Sequence, residues 1–72
     1  MRKINISIVG TGLMGLQHIK AISKSHKANL HSIVDISKNA SNLSKEYKVH
    51  LYYNVVELLK SKNLDAVIVA TP

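Results

Sequence analysis

Gly10-Thr11-Gly12-Leu13-Met14-Gly15 follows the apolar run Ile4 to Val9 and opens a segment with helical spacing. A G-x-G-x-x-G between a strand and a helix is the setting a dinucleotide-binding turn requires. Each glycine then has a separate task. Gly10 permits the tight turn out of the strand, Gly12 lets a pyrophosphate approach the backbone, and Gly15 lets the helix pack closely on the strand. The amides of Leu13 and Met14 fall in the first helical turn, where unpaired N–H groups and the positive end of the helix dipole attract phosphate.

Working outward, Lys3 to Val9 reads as a first strand, with Ile4, Ile6 and Ile8 on one face and the small polar Asn5 and Ser7 on the other. From Leu13 to about Lys24, the positions Leu13, Leu16, Ile19 and Ile22 define an apolar helical stripe. Ala28 to Val34 reads as a second strand, Leu30, Ser32 and Val34 opposing His31 and Ile33, and ends at Asp35. A carboxylate at that point, about twenty residues beyond the last glycine, is placed to accept hydrogen bonds from an adenosine ribose, although it also suits a helix N-cap or turn. Asn39 to Tyr47 forms a second helix with Ala40, Leu43 and Tyr47 inward, and Leu51-Tyr52-Tyr53 a short third strand. Asn54 and Glu57 have capping-box spacing before a short helix with Val55, Leu58 and Leu59 inward, and the unbroken apolar run Ala66 to Ala70 is the fourth strand. The pattern βαβαβαβ predicts an α/β fold: a Rossmann-type doubly wound parallel sheet in the order 3-2-1-4. Its switch point faces the glycine turn, Asp35 and the loop from Ala70.

Composition excludes several classes of function. Seventy-two residues make at most one domain. With no cysteine there is no disulfide or thiolate metal site, so a cytoplasmic location is expected. The four histidines lack metal-binding spacing, and no catalytic triad can be assembled. The basic start before Ile4 imitates a signal peptide, but polar residues and glycines interrupt it, and no run is long enough to span a membrane. Net charge is +6, yet most lysines cluster at predicted helix C-termini, where they complement the dipole. Phe and Trp are absent, so a solvated basic surface is expected rather than a nucleic-acid site.

The run Ile8 to Gly15 with His18, the strand ending Ile33-Val34-Asp35, and Leu64-Asp65-Ala66-Val67-Ile68-Val69-Ala70-Thr71-Pro72 together resemble the N-terminal domain of the glucose-fructose oxidoreductase, inositol dehydrogenase and rhizopine-catabolism (Gfo/Idh/MocA) family. The resemblance covers the whole chain. It implies an NAD(P)-dependent oxidoreductase acting on a sugar, inositol or related polyol, and an oligomer when complete. It implies cofactor contacts at Gly10, Thr11, Gly12, Leu13, Met14, Gly15, Asp35, Ile36, Ala70, Thr71 and Pro72. NAD is expected over NADP, because Asp35 would repel a 2′-phosphate and no arginine stands beside it. The family's catalytic E-K-P motif and substrate domain follow later in its members, so residues 1–72 are expected to be the cofactor-binding front of such an enzyme, inactive alone. The alternative is a non-catalytic Rossmann module that binds or senses a nucleotide.

Overall fold

The computed structural model describes residues 2–71. Its elements run β1 (Ile4–Val9), α1 (Leu13–Ser23), β2 (Ala28–Val34), α2 (Lys38–Tyr47), β3 (His50–Tyr52), α3 (Val55–Leu59) and β4 (Ala66–Val69). The strands form one parallel sheet in the order β3-β2-β1-β4, as the alternation of elements predicts. Strand and helix limits differ by a residue or two from the periodicity.

The first face of the sheet carries α1 and α2. Ile8 and Ile33 from the sheet meet Ile19 and Ile22 of α1 and Ala40 and Leu43 of α2. Ile8, Ile19 and Ile33 are essentially sealed from solvent, and each such side chain contributes about 1.5–3 kcal/mol relative to exposure. The second face has a smaller cluster of Val9, Val34 and Leu58, with Tyr52 and Leu64 against it. β4 forms one edge of the sheet, and its Val67 and Val69 are exposed on that second face.

The small polar residues of the strands are buried as a bonded pair. Ser7 Oγ donates to the Ser32 carbonyl at 3.1 Å, and Ser32 Oγ donates to Ser7 Oγ at 2.9 Å. Their burial therefore leaves no hydroxyl unsatisfied.

Three expectations from periodicity fail. Simple alternation in β2 is broken by a bulge: the register passes from Ile6↔Leu30 to Ser7↔Ser32, leaving His31 as the extra residue. Leu30 and Ile33 consequently both pack toward the first core, and His31 bonds Ser32 Oγ at 2.8 Å and the Lys62 carbonyl at 2.9 Å. Leu13 does not join the stripe of α1, whose inward face is Gly15, Ile19 and Ile22 with Leu16 beside them. In α3 only Leu58 is buried; Val55 and Leu59 face solvent because a helix of five residues presents one inward position.

The glycines of the turn separate by physical requirement. Gly10 has φ +100, which L side chains rarely adopt, and a Cβ there would lie 2.9 Å from Thr71 Cγ2. A Cβ on Gly15 would overlap the Gly10 carbonyl oxygen and lie 2.8 Å from its carbon. A Cβ on Gly12 meets nothing within 4 Å. Gly15→Ala is therefore expected to cost about 3 kcal/mol or more of unfolding free energy, by overpacking against backbone that cannot yield. Gly12→Ala, at a helix N-cap, should cost at most about 1 kcal/mol. Urea denaturation followed by circular dichroism measures both.

Candidate dinucleotide site

β1 and β2 end side by side, held by the Gly10 N–H donating to the Val34 carbonyl at 2.8 Å; on the other flank the Ala70 N–H donates to the Val9 carbonyl at 2.8 Å. Three chain segments thus leave the sheet together at its C-terminal edge. Between them lies an open cleft of about 510 Å³ lined by Gly10, Thr11, Gly12, Leu13, Met14, Asp35, Ala70 and Thr71.

One wall is the start of α1. Gly12 is its N-cap and accepts from the Leu16 N–H at 2.9 Å, so the amides of Leu13, Met14 and Gly15 precede the first helical bond. No side chain caps this end and the first turn has no acidic residue. The first-turn amides of α1 are therefore left without a side-chain partner from the helix itself. Leu13, 74% exposed, and Met14 line the cleft, which is why Leu13 does not serve the core.

The opposite wall is built around Asp35. Its Oδ2 accepts from both the N–H and the hydroxyl of Thr11, each at 2.6 Å, and its Oδ1 accepts from the Ser37 N–H at 2.9 Å. The carboxylate therefore ties the glycine turn to the end of β2, and the buried Thr11 side chain positions it. Partial burial pushes the Asp35 carboxyl up, but the Thr11 hydroxyl and the backbone N–H groups of Ser37, Thr11 and Ile36 outweigh it and hold the group below its ordinary value of 3.8. By distance, Oδ2 carries the two Thr11 bonds and Oδ1 the single bond from Ser37, so Oδ1 is the less engaged oxygen.

The structure brings together nearly all the residues singled out from the sequence. Gly15 is the exception within the turn: it is buried beneath it and shapes the cleft without lining it. Ile36, 84% exposed, lies in an adjoining groove of about 260 Å³ with Tyr53, Asn54 and Val55. Those last three escape sequence reasoning, which takes Tyr53 as strand and Val55 as core; the only signal was two apolar side chains flanking a cap residue at the end of β3. Pro72 lies outside the described residues. Among the described residues there is no cluster of three potential metal ligands, and no helix is long and apolar enough to cross a membrane.

The family model described as "Oxidoreductase family, NAD-binding Rossmann fold" (GFO_IDH_MocA) matches residues 4–72. Among solved structures, an NAD-binding protein from Listeria innocua is 28% identical, with a TM-score of 0.84 over 99% of this chain and 21% of that one. The scyllo-inositol dehydrogenase from Lactobacillus casei, solved with NAD(H) and scyllo-inositol, is 26% identical, with a TM-score of 0.88 over 99% of this chain and 22% of that one. A candidate NADPH-dependent oxidoreductase from Desulfitobacterium hafniense shares the fold at 20% identity, with a TM-score of 0.85 over 97% of this chain and 20% of that one. The chain thus spans about a fifth of the length of these proteins. No match was found among curated proteins.

Because the folded pKa of Asp35 lies below the unfolded one, its contribution to stability is complete above the ordinary carboxylate range and is lost as pH falls through the lowered folded value. Asp65 acts in the same direction. Asp35→Asn is expected to lower stability at pH 7 and to flatten the acid limb of the stability profile. Urea midpoints measured between pH 7 and pH 2 check both effects.

Proposed function

The chain belongs to the Gfo/Idh/MocA oxidoreductase family with its NAD-binding Rossmann fold, and we propose that its cleft holds NAD for hydride transfer to or from a sugar, inositol or related polyol. The observation that carries this reading is Gly12. The fold has space for a side chain there, so its bareness serves whatever enters the cleft. A pyrophosphate above Gly12 would meet the uncapped amides of Leu13 and Met14 and the positive end of α1.

Asp35 accepts a ribose hydroxyl through Oδ1, the oxygen that carries the single Ser37 bond, and the apolar groove of Ile36, Tyr53 and Val55 receives the adenine. Ala70 and Thr71 pass the nicotinamide, which when bound accepts or delivers the hydride. NAD is preferred because a 2′-phosphate would face an ionised Asp35 with the neutral Ile36 and Ser37 following it. At about 4 Å and an effective dielectric near 20 the unscreened repulsion is roughly 4 kcal/mol, of which solvent leaves part. Lys38 is the nearest following cation in the sequence.

The polyol class rests on the likeness to the Lactobacillus casei enzyme. Residues 1–72 are read as the cofactor-binding portion of a domain, with the acid/base group and substrate pocket in the length of the relatives that this chain does not span. We place the complete enzyme in the cytoplasm as a homo-oligomer.

Fluorescence titration is expected to give tighter binding of NADH than of NADPH, with Asp35→Ala reducing the difference at least tenfold. Gly12→Val should abolish binding of both while leaving the circular dichroism spectrum unchanged. Equal affinity for the two cofactors in the unmodified protein overturns the NAD preference, and undiminished binding by Gly12→Val removes the glycine turn from the site.

A further inference from the structure

At the opposite end of the sheet, where the strands begin, lies a second cavity of about 520 Å³ that the dinucleotide reading does not use. Lys3, at the approach to β1, and Lys48, just past α2, line it together with Ser25, Asn29 and Tyr47; Leu30 and Val49 also contribute to a lining that is mostly polar. No acidic residue lines it. Of the four acids in the chain, Asp65 is paired with Arg2 at 2.8 Å, Asp35 lies at the other end of the sheet, and Glu57 is on α3 at 3.9 Å from Lys60. Glu46, exposed on α2, is the remaining one. Among the described residues neither Lys3 nor Lys48 forms an ion pair.

Complementing helix dipoles accounts for this arrangement only in part, since it covers the charge of Lys48 at the end of α2 but not that of Lys3. Lys20 and Lys45 lie in the last turns of α1 and α2 and suit that role, but Lys3 precedes a strand. Lys48 is more telling. It is the C-cap of α2 in the left-handed region, φ 56 and ψ 45, where glycine is the favoured residue and a side chain adds strain. A strained non-glycine residue whose charge has no ion-pair partner among the described residues suggests a task outside the fold. Helix C-termini would by themselves repel an anion. Here, however, the late carbonyls of α1 accept from Lys24 and Ser25 N–H groups, and those of α2 from Lys48 and Val49. The lysines therefore set the sign of the local field. Donors are also available: Ser25 Oγ accepts from the Lys27 N–H at 3.0 Å, leaving its own hydroxyl hydrogen free.

We propose that this basal cavity is a binding site for a small phosphate-bearing anion, with Lys3 and Lys48 as its charged contacts. The compact ammonium groups suit phosphate as point charges. Leu30 and Val49, also in the lining, offer contact to the carbon portion of a phosphate ester.

The test is titration of the ¹⁵N-labelled protein with inorganic phosphate and, separately, with glycerol 3-phosphate, at ionic strength held constant with sodium chloride. Saturable shifts are expected at the amides of Asn29, Lys48 and Val49, with the ester binding more tightly if a phosphorylated metabolite is the ligand and equally if free phosphate is. Lys48→Gly should raise the melting temperature, by relieving the left-handed strain, and weaken phosphate binding at least tenfold; Lys3→Ala should weaken binding without the gain in stability. The proposal is overturned if chloride alone reproduces the shifts, if only the Gly12 and Leu13 amides respond, or if Lys48→Gly binds phosphate as the unmodified protein does.

Discussion

The distance between α1 and β1 is set by a backbone-to-backbone approach at Gly15, and the upper end of the sheet depends on it. With no side chain at that position the helix settles over the Gly10 carbonyl, and the turn between them becomes short enough to point the first helical amides across the cleft. The same approach brings Thr11 within reach of Asp35, so the end of β2 is bonded to the turn leaving β1. Core packing contributes at one remove: Ile19 and Ile22 hold α1 against Ile8 and Ile33, and so keep that approach in place.

Asp35 has a structural role, to which the proposed function adds a recognition role in the same carboxylate. Three of its acceptor positions are spent within the protein, which keeps it ionised and fixed before any ligand arrives. Preorganised charge of this sort contributes more to discrimination than a mobile side chain would, because its orientation costs nothing at the moment of binding. Thr11 orients Asp35 and need not touch a ligand through its side chain.

The sheet order, the glycine turn and the terminal acid were legible because they rest on local rules: alternation of periods, the steric uniqueness of glycine, and a fixed spacing between turn and acid. What escaped involves residues whose environment is decided by distant parts of the chain. The apolar character of Leu13 is the same whether it faces a core or a cleft, and only the orientation imposed by Gly15 separates the two. The bulge at His31 depends on partners across the sheet and in the loop at Lys62, neither of which appears in the alternation of β2 itself. Tyr53 reads as strand and Val55 as interior from hydrophobicity alone, whereas β3 ends before Tyr53 and α3 is too short to bury both flanks.

The placement of β1 between β2 and β4 has a consequence for the order of assembly. Its pairing with β2 closes a short loop, but its other flank waits for β4, and the clip that secures it joins the Asn5 N–H to Asp65, 60 residues later, reinforced by Arg2. During synthesis the central strand therefore emerges first and has one side unpaired until nearly the whole of this sequence has left the ribosome. Contacts so far apart along the chain slow folding and prolong the exposure of an apolar strand. The half-formed sheet, with Ile6 and Ile8 open along one edge, is the species that chaperones would be called on to shield.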